Sequence, residues 1–189
     1  MNDIVLCEWQ VIDSSSGLIM PWFTHNCLDW IEKQDWSDKN VIMFGAGMGD
    51  AFLAKKCQTL TVVERNPEWL AKASQYAAAN GAIVNYILRE CNDSSGMADF
   101  YCEIPSNIKY DVIINDDAYR TEICQVAIDY LKANGGGIFI CDNWIQSYVW
   151  LSPKAEEIMQ PYEAMIFEQH DHKDNDGVNK WKTAVWNIK

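Results

Sequence analysis

The sequence predicts an α/β protein with a doubly wound, mostly parallel sheet that ends in an antiparallel hairpin strand. Five short apolar segments alternate with helical segments between residues 41 and 142. This alternation is typical of parallel strands whose connecting helices cover both faces of a sheet. Near the C-terminus, two further strand-like segments, YEAMIFEQ and WKTAVWNI, flank an Asp176-Gly177 pair, which predicts the hairpin.

The strands are predicted where apolar runs are bounded by turn residues. A short strand is expected at 4–12, before a helix at 22–35 in which large apolar residues recur at helical spacing. The five core strands are predicted at 41–45, 60–64, 84–88, 111–116 and 137–142.

The helices are predicted from the residues that typically start and end them. Pro67 begins a helix that Asn80-Gly81 ends at about residue 79, which follows the usual preference for proline at the first turn and glycine after the last. Further helices are expected at 50–56 and 120–132, and a short one at Ser152-Pro153. The stretch 92–108 is polar and irregular, with about one helical turn.

Composition restricts the class of partner. The 189 residues suit a single domain spanning 1–189, and the net charge of −12 disfavours nucleic acid, so a small-molecule substrate is expected. No apolar run approaches the ~18 residues of a membrane span, and no signal peptide is visible. Seven cysteines without a C-x-x-C pair favour reduced thiols and a cytoplasmic location, and a homo-oligomer is compatible with these data.

A glycine-rich turn follows the first core strand in VIMFGAGMGD. Its glycines are Gly45, Gly47 and Gly49, whereas a dinucleotide-binding turn has its third glycine one position later, where this chain has Asp50. The spacing therefore weighs against an NAD-dependent oxidoreductase. Without Cβ atoms, this backbone can lie against a flat ligand.

A carboxylate stands at the tip of the next strand. LTVVE ends on Glu64, and an acidic residue at this place in related nucleotide-binding folds accepts hydrogen bonds from ribose hydroxyls. The glycine turn and Glu64 together indicate a nucleoside site between two apolar strands.

These features resemble the class I S-adenosylmethionine-dependent methyltransferases. The resemblance covers residues 41–189 and is strongest at FGAGMGD, VVERNPEW, DVIINDDAYR and GGGIFICDNW, and in the terminal hairpin. It implies a Rossmann-like core at 38–189 with a lid or substrate segment at 1–37, and S-adenosylmethionine-dependent methyl transfer to a small molecule. The cofactor-binding residues that it implies are Phe44, Gly45, Gly47, Gly49, Glu64, Arg65, Asp93 and Asp116, with the adenine near either Glu90 or Asp93.

Polar residues follow the fourth and fifth strands as Asp116-Asp117 and Asp142-Asn143. Their oxygens suit a hard cation, and the arrangement resembles the metal site of catechol and caffeoyl-CoA O-methyltransferases. That resemblance implies a divalent cation such as Mg²⁺ on Asp116, Asp142 and Asn143, and an oxygen acceptor. Tyr119 departs from the pattern, because that subfamily has a lysine base there. Alternatively, Asp116 contacts the cofactor or caps a helix, and Asp142-Asn143 forms a turn.

The candidate catalytic residues are therefore Asp116, Asp142 and His25, the last because it precedes or opens the first helix and could lie over the cofactor. Since none of them is an unambiguous base, a catalytically silent module that binds an adenosyl ligand stays open as a second reading. The NAD-dependent oxidoreductase is a third.

Overall fold

The computed structural model describes residues 11–91, 98–144, 153–169 and 181–189. In these ranges, seven strands form one sheet in the order β3-β2-β1-β4-β5-β7-β6. The strands are β1 Trp36–Phe44, β2 Cys57–Glu64, β3 Asn85–Leu88, β4 Val112–Asn115, β5 Gly137–Asp142, β6 Ala164–Gln169 and β7 Trp181–Ile188. The helices are α1 His25–Lys33, α2 Asp50–Lys56, α3 Pro67–Ala79, α4 Ala98–Cys102, α5 Arg120–Ala133 and α6 Pro153–Met159.

The strand directions confirm the predicted fold class. The pairs β1-β2, β1-β4, β2-β3 and β4-β5 are parallel, whereas β7 is antiparallel to both β5 and β6. The chain runs outward from β1 to β3 on one side, then returns to start β4 on the other. Ligands of such sheets bind beyond the carboxyl ends of the strands, at the point where the order reverses.

The core has two layers because successive side chains of a strand point to opposite faces. Along β1, Val41 and Met43 pack with helices α1, α2 and α3, whereas Ile42 and Phe44 pack with α4, α5 and α6. No helix in the described part of the chain is both long and apolar enough to cross a bilayer.

Several predicted bounds are confirmed, and others are wrong for a local reason. Helices α2 and α3 and strand β5 have the predicted ends. Strand β1 begins at Trp36 rather than at 41, because its polar start at Ser37 and Asp38 is exposed and carries no apolar signal. The domain boundary placed between residues 37 and 38 therefore falls inside a strand.

The N-terminal segment packs onto the core. Helix α1 begins at His25 rather than at 22, and of the strand expected at 4–12 only its end is described, where Ile12 forms an isolated bridge with Ile19. Met20 and Phe23 are buried against the α1–α3 layer. The predicted hairpin is formed by β6 and β7, and its Asp176-Gly177 turn lies outside the described residues.

Candidate functional site

A cleft of about 1130 Å³ opens over the carboxyl ends of the parallel strands. The glycine turn after β1 forms its floor, and the tips of β2 and β4 form its sides. The segment from Met20 to Trp22 closes one wall, and Trp69 at the start of α3 lies on the rim. The cleft thus lies at the reversal of strand order, where the topology places a ligand site.

Two of the three glycines are required by the protein itself. Gly45 has φ of +94°, and a Cβ atom there would lie 2.4 Å from the carbonyl oxygen of Asp116. A Cβ atom on Gly49 would lie 2.4 Å from the backbone nitrogen of Pro21. Larger residues are therefore excluded from both positions by backbone atoms, which cannot move aside as a flexible side chain can.

Gly47 differs from both of them. A Cβ atom there would approach no atom closer than 3.9 Å, and the residue is not in the left-handed region. The protein therefore accommodates a side chain at position 47, yet the chain has none where the turn faces the cleft. This bare stretch of backbone is free for close approach by a ligand.

Asp50 holds the turn in place. Its buried carboxylate accepts hydrogen bonds from the backbone N–H of Gly47 at 3.1 Å and from the Tyr86 hydroxyl at 3.0 Å. Burial raises the pKa of Asp50 to about 7, although both hydrogen bonds lower it. The residue that replaces the third glycine of a dinucleotide-binding turn thus orders this turn instead.

Glu64 lies at the tip of β2 and connects the two sides of the turn. Its Oε2 accepts from the Ala46 N–H at 2.8 Å, and its Oε1 accepts from the N–H groups of Arg65 at 2.8 Å and Asn66 at 2.7 Å. Burial raises the pKa of Glu64 above its ordinary value. Of about four acceptor positions on a carboxylate, three are occupied, and the remaining one is on Oε2.

Trp69 supplies an aromatic wall beside Glu64. Its indole N–H donates to the carbonyl oxygen of Ala46, and 42% of the residue is exposed, so the ring is anchored at one edge and open to the cleft. On the other side, Asp117 accepts from Arg65 Nε at 3.2 Å and from the Tyr101 hydroxyl. These contacts fix both flanks of the glycine turn.

Arg120 is the central cation beneath the tips of β4 and β5. Its guanidinium is buried and donates to the carbonyl oxygens of Asp117 and Asp142, the latter at 2.8 Å. Its Nη2 also donates to Asp116 Oδ1 at 3.2 Å and to Asn143 Oδ1 at 2.7 Å. One planar donor therefore positions two side chains that line the cleft, Asp116 and Asn143.

Asp116 is the acidic group at this end of the cleft. Its side chain is 26% exposed. Burial and the charge of Asp142 raise the pKa of Asp116 well above its ordinary value, and Arg120 partly offsets them. Asn143 has a positive φ of 52°, a left-handed conformation that asparagine adopts more readily than most residues and that is typical of a turn.

Asp142 is separated from the cleft. Its carboxylate is buried and accepts from Thr183 Oγ1 at 2.6 Å and from Trp181 Nε1 at 3.1 Å, both on β7. Burial raises its pKa to about 6. Asp142 therefore connects β5 to β7, and it is not among the residues that line the cleft.

Only some of the other predicted site residues line the cleft. Arg65 and Glu90 line the cleft. The Phe44 side chain is buried against Tyr101, with ring centroids 6.0 Å apart, so it faces away from the cleft. His25 is exposed, its backbone N–H donates to Gln169, and it does not line the cleft. Asp93 lies outside the described residues.

The predicted cation site does not fit the arrangement of these donors. The Arg120 guanidinium occupies the place between Asp116 and Asn143, and Asp142 is directed towards β7. Within the described residues, no group of three His, Cys, Asp or Glu side chains is placed to hold a metal ion. We therefore derive no chemistry from a divalent cation.

Four residues that shape the cleft were not assigned a role from the sequence. They are Trp22, Trp69, Asp117 and Arg120. Three of them, Trp69, Asp117 and Arg120, stand in segments that carried the family resemblance, VVERNPEW and DVIINDDAYR, so those motifs were the available signal. Trp22 had none, because its place on the wall depends on how the N-terminal segment packs against Gly49.

Solved structures share this architecture. The N-methyltransferase NodS from Bradyrhizobium japonicum WM9, in complex with S-adenosyl-L-homocysteine, aligns with a TM-score of 0.62 and 15% identity, over 87% of this chain and 85% of that chain. A TehB-like SAM-dependent methyltransferase from Corynebacterium glutamicum aligns with a TM-score of 0.56 and 15% identity, over 87% and 86% of the two chains. An rRNA methylase from Streptococcus thermophilus aligns with a TM-score of 0.56 and 15% identity, over 87% and 96%. No family model matches the sequence, and no curated protein matches it.

Proposed function

We propose that this protein, which has the fold of the class I S-adenosylmethionine-dependent methyltransferases, binds S-adenosylmethionine and transfers its methyl group to a small-molecule acceptor. The observation that carries the proposal is Gly47. Of the three glycines in the turn, it alone lacks a steric reason within the described protein, and it faces the cleft beside Glu64. A bare backbone next to a carboxylate at the tip of β2 suits a nucleoside.

The nucleoside half of the cleft lies over β2 and β3. The remaining acceptor position on Glu64 Oε2 takes one ribose hydroxyl, while the other positions hold the turn. Trp69 offers an indole face at the rim, and Glu90 lines the cleft after β3, where the adenine is expected. This assigns Glu64 a double role, in the structure of the turn and in binding.

The reacting half lies over β4 and β5. S-adenosylmethionine, when bound, supplies a methyl group activated on a sulfonium. The chain's own contribution is to orient the acceptor and exclude water, and Asp116 and Asn143 are held for this by Arg120. Burial and the charge of Asp142 raise the pKa of Asp116, which makes its carboxylate a stronger base towards a proton of the acceptor.

The structure argues against the metal-assisted methylation of an oxygen acceptor that the sequence suggested. That chemistry needs oxygen ligands open to a cation, whereas Asp116 and Asn143 are bonded to the Arg120 guanidinium. Methyl transfer without a metal is the proposal that the arrangement supports best.

Calorimetric titration with S-adenosylhomocysteine tests the cofactor assignment. We expect micromolar binding to the wild-type protein and at least about tenfold weaker binding to Glu64→Gln, since a loss of about 1.4 kcal/mol changes affinity tenfold. Glu157→Gln on the exposed face of α6 changes the same charge far from the turn and should bind like the wild type. A folded wild-type protein that does not bind at millimolar ligand contradicts the proposal.

Two alternatives are separated by related measurements. An NAD-dependent oxidoreductase would bind NADH, seen as quenching of tryptophan fluorescence, whereas the proposed methyltransferase should not. A silent adenosyl-binding module would bind S-adenosylhomocysteine but give no labelled product from methyl-labelled S-adenosylmethionine with any acceptor in a broad panel. Any methyl transfer eliminates the silent module.

A further inference from the structure

We propose that the end of the cleft over β4 and β5 selects an amine nitrogen as methyl acceptor, in preference to a hydroxyl or an acid. The inference rests on the proposed cofactor site and names the substrate class for that site. It follows from the charge balance of the cleft, from the contacts that occupy Arg120, and from the position of Trp22.

Negative charge predominates in the cleft. Its lining includes six carboxylates and two guanidiniums, and the whole chain has a net charge of −12. The carboxylates are Asp50, Glu64, Glu68, Glu90, Asp116 and Asp117, and the guanidiniums are Arg65 and Arg120. A cleft of this sign attracts cations and raises the energy of an anion brought into it.

Both guanidiniums already pair with oxygen atoms of the protein. Arg65 donates to Asp117, and Arg120 donates through Nε, Nη1 and Nη2 to four oxygen atoms of the protein. An acidic substrate would therefore compete with Asp116 and Asp117 for these two cations. A hydroxyl acceptor is also disfavoured, because its reactive oxyanion would lie beside Asp116.

Asp116 presents a suitable partner for an N–H group. Arg120 holds its Oδ1, and no described residue donates to Oδ2, which therefore remains as an acceptor at the cleft. An ammonium beside this carboxylate favours its charged form and opposes the effect of burial. The acceptor is thus recognised by charge and by a hydrogen bond.

Trp22 supplies an aromatic surface at the same end. Its ring lies edge-on to Trp181, with centroids 6.3 Å apart and planes at 73°, and Trp181 donates to Asp142 at the end of β5. Trp22 is 46% exposed and lines the cleft. The negative face of an indole ring attracts a cationic group.

The reaction balances with these groups. The ammonium gives a proton to the Asp116 carboxylate, and the nitrogen lone pair then forms the new bond to the methyl carbon. The carbon–sulfur bond breaks with its electron pair remaining on sulfur, so the positive charge moves from sulfonium to the methylated nitrogen. Asp116 returns its proton to water. The cationic product stays next to a carboxylate, whereas an oxygen acceptor would need an oxyanion first.

Tyramine tests the inference because it carries both an amine and a phenol. With the protein saturated by S-adenosylhomocysteine, we expect tyramine to bind at least about tenfold more tightly than tyrosol, its alcohol analogue, and the corresponding carboxylic acid to bind least. With S-adenosylmethionine present, fragmentation of the product in a mass spectrometer should place the new methyl on nitrogen.

Asp116→Asn should reduce the preference for tyramine over tyrosol towards one, and Glu157→Gln should keep it. Because every variant is first saturated with S-adenosylhomocysteine, the affinity ratio does not depend on cofactor affinity. If S-adenosylhomocysteine fails to bind the wild type, the proposed function fails. If S-adenosylhomocysteine binds the wild type, three results would each overturn the amine inference alone. The affinity for tyrosol could equal or exceed that for tyramine, neither compound could bind at millimolar concentration, or the new methyl could be found on oxygen.

Discussion

Two glycine-to-alanine substitutions in the turn distinguish a glycine that the fold requires, Gly45, from one that ligand binding requires, Gly47. A Cβ atom at position 45 would lie 2.4 Å from the Asp116 carbonyl oxygen, and φ there is +94°. The left-handed conformation costs an alanine roughly 1–2 kcal/mol, and overpacking of this kind costs about 1–3 kcal/mol. We expect Gly45→Ala to lose about 2–5 kcal/mol of stability, which lowers Tm by about 4–20 °C for a chain of this length.

The second substitution should behave in the opposite way. A Cβ atom at position 47 meets nothing closer than 3.9 Å, so Gly47→Ala should change the free energy of unfolding by no more than about 1 kcal/mol. Its added methyl enters the surface proposed for the nucleoside, and we expect the affinity for S-adenosylhomocysteine to fall by about tenfold or more.

Thermal unfolding followed by circular dichroism measures the first effect, and calorimetry measures the second. A Gly45→Ala protein as stable as the wild type would show that the contact with Asp116 is not as close as the structure has it. A Gly47→Ala protein that keeps wild-type affinity would show that the cofactor does not lie on this backbone.

Three further predictions concern the residues that support the cleft. Asp50 is proton-bound to higher pH in the folded than in the unfolded state, so wild-type stability should fall as pH rises from about 4 to 7. In urea titrations at several pH values, Asp50→Asn should make this fall smaller by at most about 4 kcal/mol, and the remainder should persist because the pKa values of Glu64, Asp116 and Asp142 are also raised. An unchanged slope would contradict the assignment. Arg120→Met should lower the free energy of unfolding by about 3–5 kcal/mol, because it leaves Asp116 without its cation; a loss below about 1 kcal/mol in urea would argue against the network. Trp69→Phe keeps an aromatic ring but loses the hydrogen bond to Ala46, so we expect a stability loss of about 1 kcal/mol and a several-fold lower affinity for S-adenosylhomocysteine. An affinity equal to that of the wild type, measured by calorimetry, would show that Trp69 does not contact the cofactor.

The parts of the fold that the sequence predicted well are bounded by proline, asparagine or glycine residues that start or end an element. Pro67 and Asn80-Gly81 bound α3, and the glycines before β5 mark its start, so these ends were predicted correctly. The start of β1 was missed because an exposed strand end at Ser37 and Asp38 has the composition of a loop.

Site prediction was limited by side-chain direction. Parallel topology brings the strand tips to one edge of the sheet, so the positions of Gly45, Glu64 and Asp116 at the cleft follow from the sequence pattern. Whether Asp142 or Asn143 faces the cleft depends on the alternation of side chains and on the partners offered by β7, which the motif does not reveal. Likewise, the sequence does not reveal that Arg120 holds the tips of β4 and β5 together, because its four acceptors come from residues that are brought together only by the fold.

A crystal structure of the complex with S-adenosylhomocysteine would show whether the nucleoside lies on the glycine turn beside Glu64. We predict a ribose hydroxyl within hydrogen-bond distance of Glu64 Oε2, the nucleoside in contact with the Gly47 backbone, and the sulfur directed towards Asp116. A nucleoside bound elsewhere, or one separated from Glu64 and Gly47 by solvent, would refute the proposed cofactor site.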